Sequence, residues 1–128
     1  VDRLKIAQRF SQQRDTKLPP LNICLQVNIS EEASKSGIRL AELPALADKI
    51  RDLPGLRLRG LMAIPAKAES FEQQRQIFHR LHQALADLNA RGHQLDTLSM
   101  GMTNDMEAAI AEGATIVRIG TAIFGARA

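Results

Sequence analysis

Tryptophan and tyrosine are absent from this 128-residue sequence, and phenylalanine occurs only four times. Stacking platforms for single-stranded nucleic acid are therefore poorly supplied. The one cysteine, Cys24, excludes an internal disulfide, and with no C-x-x-C and no Cys/His pair a zinc site is not expected. Unbroken apolar runs reach only a few residues, far below the ~20 a spanning helix needs, so no membrane partner is expected. The opening residues Val1-Asp2-Arg3-Leu4-Lys5 lack the charged start and apolar core of a secretory signal, which makes a cytoplasmic protein the expectation.

What is present suits a packed domain. Apolar residues make up 45% and charged residues 24%, enough for a core and unlike a disordered chain. The length fits one domain or part of one. The formal net charge is +3, and the twelve arginines are scattered apart from Arg57 and Arg59. That reads as a mildly basic surface without a nucleic-acid partner, and it suits a small anionic ligand equally well.

Helical and strand periods alternate along the chain. Asp2 is positioned to cap a first helix carrying Leu4, Ile6, Ala7 and Phe10. After Pro19-Pro20, residues Leu21 to Ile29 have the length and branched apolar content of a buried strand. Ser30 to Gly37 is a polar loop, and a helix follows over about Ala41 to Leu53. Leu56 to Ile64 is the second strand, closed by Pro65. Ser70-Phe71-Glu72-Gln73 matches a capping box, opening a helix with Ile77, Phe78, Leu81, Leu85 and Leu88 on one face. A short strand at Thr97–Met100 leads to a helix with Asn104 as cap, and Thr115–Ile119 is a fourth strand.

Four βα units with crossovers long enough for parallel pairing amount to half of a (β/α)8 barrel, which takes ~250 residues. A four-stranded open α/β sheet is the alternative. Four strands would also leave two unpaired edges, so self-association is expected of such a chain.

The richest stretch chemically is Ser99-Met100-Gly101-Met102-Thr103-Asn104-Asp105-Met106. A glycine directly after a strand lets backbone approach a ligand, and small hydroxyl residues then lead into a helix start that attracts phosphate. An ordinary βα turn with an Asn cap has the same appearance. Arg118-Ile119-Gly120-Thr121 offers the same chemistry after the next strand, and barrels frequently hold phosphate on the loops after strands seven and eight. Arg118, near the end of an apolar strand, needs either a salt bridge or a ligand, since its guanidinium stays charged. Asn28 to Gly37 carries Glu31, Glu32 and Lys35 but lacks the P-loop order. Met62, Met100, Met102 and Met106 read as core filling before pocket lining. His79, His82 and His93 read as surface residues with no metal partner.

Val27 to Gly37, Leu58 to Pro65, Leu98 to Met106 and Val117 to Gly125 together resemble the pyridoxal phosphate homeostasis protein family, and the resemblance runs from Asp2 to Arg127. It implies a barrel like the N-terminal domain of alanine racemase that binds pyridoxal 5′-phosphate (PLP), with this chain as its C-terminal half, strands five to eight. It further implies that Ser99, Met100 and Thr103 hold the cofactor phosphate with Gly120 and Thr121, while Arg118 faces the pyridine nitrogen. The family's Schiff-base lysine lies on the first barrel strand, and none of Lys5, Lys17, Lys35, Lys49 and Lys67 stands in its motif. The function implied is a non-catalytic carrier or regulator of PLP supply, monomeric as a full chain. A PLP-dependent racemase or a phosphosugar barrel enzyme using the same turns is the rival, although no acid/base pair is visible. A third, structural reading is that no ligand binds this chain at all.

Overall fold

Proline pairs, glycines and apolar periods divide the chain into alternating helices and strands. The computed structural model describes residues 1–30, 36–66, 68 and 70–118. In order they form α1 (Leu4–Gln13), β1 (Leu21–Gln26), α2 (Leu43–Arg51), β2 (Leu56–Met62), α3 (Phe71–Ala90), β3 (Thr97–Ser99) and α4 (Met106–Ala111), with a 3-10 turn at Leu40–Glu42 before α2.

The three strands are parallel and lie in the order β1-β2-β3. Neighbours in sequence are neighbours in space, so the sheet winds in one direction. One cross-strand row, Leu25–Leu61–Leu98, is buried to 0%, 0% and 4% exposure. The next row, Gln26–Met62–Ser99, is only half-buried. Side chains alternate faces along a strand, so this contrast places the helices on one side of the sheet. Helix α2 contributes Leu43, Leu46, Ala47 and Ile50 to that core, and α3 contributes Phe78, Leu81 and Leu88. Gly60 is fixed by the pairing of β2 with β3, because a Cβ there would fall 1.7 Å from the Thr97 carbonyl oxygen.

Several expectations need correction. The first two strands are shorter than the apolar runs. Val27 still donates to the Met62 carbonyl at 2.8 Å, but beyond Gln26 the chain engages the Ile38 segment on its other side. A fourth strand over Thr115–Ile119 is reduced, among the described residues, to one parallel bridge between Ser99 and Ile116. The reason is local: the Leu98 amide donates to the Thr115 hydroxyl at 2.8 Å, so a side chain takes the bond a strand carbonyl would accept. Alignment with β3 still continues, with Met100 N–H to Ile116 O at 3.1 Å and Arg118 N–H to Gly101 O at 2.9 Å. The edges are thus partly engaged. On the β1 side, the Gln26 amide donates to the Val1 carbonyl at 2.7 Å.

Asp2 does not cap α1; its carboxylate accepts the Gly37 amide at 3.1 Å and lies beside Arg3. The residue before α4 is Asp105, not Asn104. The Ser70 cap forms as expected, its hydroxyl accepting the Gln73 amide at 3.1 Å. His93 is buried, and its Nε2 lies 2.8 Å from Asp48 Oδ1. His79 has an acidic partner after all, since Glu112 from the end of α4 comes within 3.2 Å of its Nδ1. Residues 119–128, including Ile119, Gly120 and Thr121, lie outside the described residues, as does Lys35.

Candidate functional site

All three strands run the same way, so their C-terminal ends share one side of the molecule, where α/β sheets and barrels carry their ligands. There Ser30 ties β1 to β2, its hydroxyl accepting the Ala66 amide at 2.9 Å. The chain then leaves β3 through Ser99 and Met100. The Met100 side chain is fully buried and its amide is used by Ile116, so this residue anchors the turn from beneath and offers neither group to a ligand. Of the four methionines it is the one in the core; Met102 is 49% exposed.

Gly101 has φ +103°, and a Cβ on it would lie 2.6 Å from Ala109 Cβ and 3.3 Å from Val117 Cγ1. A side chain here would push α4 and the 115–118 segment off the turn, so glycine is what lets the three meet. Beyond it the turn closes on itself. Met102 N–H donates to Asp105 Oδ1 at 2.6 Å, and Asp105 N–H donates to Met102 O at 3.2 Å. Thr103 stands half-exposed at the tip.

Arg118 is the most informative residue. Its amide donates to the Gly101 carbonyl, which brings the two sequence-distant motifs into contact. Its Nε and Nη2 are buried and have no hydrogen-bond partner among the described residues. A buried guanidinium without a partner is costly, so an acceptor for it is strongly favoured. The salt-bridge reading of Arg118 has no counterpart among the described residues. A ligand that brings an acceptor to these two nitrogens would satisfy them. Gly120 and Thr121 lie outside the described residues.

The opposite end of the sheet is charged in a different way. Arg59 makes a two-point contact with Asp96, Nε to Oδ1 at 3.0 Å and Nη2 to Oδ2 at 2.7 Å. That guanidinium, helped by the Thr97 hydroxyl, holds the Asp96 carboxyl down at about 2. Burial pushes the nearby Cys24 thiol up, which fits a structural cysteine more than a nucleophile.

The whole chain, residues 1–128, matches the family described as alanine racemase, N-terminal domain. The chain belongs to that family. A relative from Pseudomonas aeruginosa named pyridoxal phosphate homeostasis protein is 64% identical over 127 residues, which cover 99% of this chain and 54% of that protein. The resemblance read from the four motifs is thereby borne out, and the chain spans about half the length of that relative. Among solved structures, an unknown protein from Bifidobacterium adolescentis superposes with a TM-score of 0.88 at 41% identity, over 97% of this chain and 51% of that one. The structure of PipY from Synechococcus elongatus with PLP bound gives a TM-score of 0.86 at 31% identity, over 98% of this chain and 58% of that one. The fold is therefore the α/β, barrel-like fold of this family. No described helix is long and apolar enough to cross a membrane.

Proposed function

We propose that this chain forms the C-terminal half of a PLP-binding barrel, strands five to eight, and that the whole protein is a non-catalytic carrier or regulator of PLP supply. The single observation that carries the reading is the orphaned Arg118 guanidinium, held against the Gly101 turn by the Arg118 amide. The one-directional strand order and the match along half the length of PLP homeostasis proteins support the half-barrel assignment. In this reading Ser99 and Thr103, with Gly120 and Thr121, bind the phosphate, while Met100 sets the turn they stand on. Arg118 donates to the pyridine nitrogen.

PLP supplies an electron sink whose strength depends on a protonated ring nitrogen. Arg118 works against that protonation, because a permanent cation beside the ring nitrogen disfavours a second positive charge there. The residues of this chain thus retain the cofactor and leave its ring a poor sink, which suits carriage better than carbanion chemistry. Gly101 and the core beneath it hold the donors rigid.

The test is PLP binding by the full-length protein with Arg118→Ala. Loss of a donor to a charged or strongly polar acceptor is worth ~1.5–3 kcal/mol, so affinity should fall about tenfold or more and the PLP absorption band should move. Unchanged affinity together with an unchanged spectrum would reject Arg118 as the ring's partner.

A further inference from the structure

Helix α4 has six residues, too few to hold its shape without tertiary contacts. It is also the element on which the Gly101 turn rests. Asp105, immediately before it, accepts the Met102 amide at 2.6 Å, and a Cβ on Gly101 would lie 2.6 Å from Ala109 Cβ. Asp105 makes no side-chain capping bond to α4, so the start of the helix does not fix its direction. Where α4 sits decides where the turn sits.

The other end of α4 is held from α3. Arg75, His79 and His82 are spaced four and three residues apart and form one stripe along α3. All three meet Glu112, the residue that ends α4. Arg75 Nε lies 3.0 Å from Oε1, and His79 Nδ1 lies 3.2 Å from Oε2. His82 Nδ1 lies 2.7 Å from the Glu112 backbone carbonyl oxygen. A carbonyl only accepts, so His82 Nδ1 is the donor. That carbonyl has no partner within its own helix, because the Ile116 amide donates to Leu98 instead. The His82 ring covers the turn that follows, since a Cβ on Gly113 would stand 3.0 Å from its Nδ1. The Glu112 side chain is only 12% exposed, so both of its oxygens need donors, and α3 supplies them. An isolated surface ion pair is worth little, but here three contacts converge on one residue at the end of a short helix.

We propose that Arg75, His79 and His82 clasp Glu112 and are positioning residues for the cofactor phosphate: by fixing α4 they fix the Gly101 turn and the Ser99 and Thr103 groups on either side of it. The inference rests on the PLP reading above. The four residues act through α4 and not on the ligand.

PLP titrations of the full-length protein, with phosphorus NMR of the bound cofactor and urea unfolding of each variant, test this. Glu112→Ala should weaken PLP binding about fivefold or more and move the phosphorus resonance. His82→Ala, which removes the backbone contact and leaves the carboxylate pairs, should act in the same direction. Glu112→Gln keeps an acceptor oxygen for Arg75 and should recover most of the affinity. Asp96→Asn is the control for a merely structural role: it breaks a two-point pair at the opposite end of the sheet, and whatever it does to the urea midpoint, PLP affinity should stay within about twofold. Unchanged affinity and an unmoved phosphorus resonance in both Glu112→Ala and His82→Ala would overturn the proposal, as would an equal loss in Asp96→Asn. The double variant Ser99→Ala, Thr103→Ala separates the two levels. If it binds PLP as the wild type does, the phosphate assignment has failed and the clasp with it; if it binds weakly while Glu112→Ala does not, the clasp alone has failed.

Discussion

Arg118 and Gly101 act as a unit. A guanidinium whose buried Nε and Nη2 have no partner among the described residues is held where it is because its own amide is bound to the glycine carbonyl, and the glycine is there because nothing larger fits against Ala109 and Val117. Gly101→Ala should therefore cost at least about 2 kcal/mol, from a strained positive φ and a 2.6 Å clash together, read as a lowered urea midpoint at constant slope. A loss below about 0.5 kcal/mol would mean the turn does not rest on α4 as described. The importance of both residues is legible in the sequence, because a charge at the end of an apolar strand and a glycine just after one are anomalies that need a reason. The fate of the Met100 amide is not legible there, since its acceptor, Ile116, is sixteen residues away.

At the scale of elements, periodicity locates the helices and strands of the described residues but not their ends. Ends are decided by which partner takes each backbone group. The Thr115 hydroxyl intercepts the Leu98 amide and delays the fourth strand, and Asp105 rather than Asn104 precedes α4 and closes the turn on Met102. His79 is solvent-facing as expected and meets Glu112 from α4's end, whereas His93, also expected at the surface, is buried against Asp48 of α2. The β2–β3 contact makes the sharpest prediction at this scale. Gly60→Ala puts a methyl into the Thr97 carbonyl, and since backbone cannot yield as a side chain can, the two strands must separate locally. A loss of about 3 kcal/mol or more is expected by chemical denaturation, with faster amide exchange at Leu61 and Leu98. Exchange that stays as slow as in the wild type would contradict the pairing.

Across the whole molecule, ion pairs fasten the outer layer and the strand starts: Arg59 to Asp96, Arg91 and His93 to Asp48, Arg75 and His79 to Glu112. All three carboxyls are held below their ordinary values. Asp96 is lowered by Arg59, Asp48 first by His93, and Glu112 by His79 and Arg75 against an opposing burial effect. A carboxyl depressed in the folded state stabilises above its unfolded value, ~4, and that stabilisation is lost as pH falls through the folded value. For Asp96 the loss runs from about pH 4 down to about 2. The melting temperature should thus be flat near neutrality and fall through that window, and Asp96→Asn should flatten the lower part of the fall. A fall unaltered by Asp96→Asn would remove Asp96 from the account. The overall architecture is legible in sequence because alternating units with long crossovers permit few parallel arrangements, and the observed strand order selects the one-directional winding.

We propose that the Ser99–Thr103 turn and Arg118 hold the two ends of one cofactor. The most direct measurement is a density map of the full-length protein with PLP present. Phosphate within hydrogen-bond distance of Ser99 and Thr103, and the pyridine nitrogen facing the Arg118 guanidinium, is the predicted result. PLP density elsewhere, with Arg118 paired to one of the protein's own carboxylates or carbonyls, would contradict it.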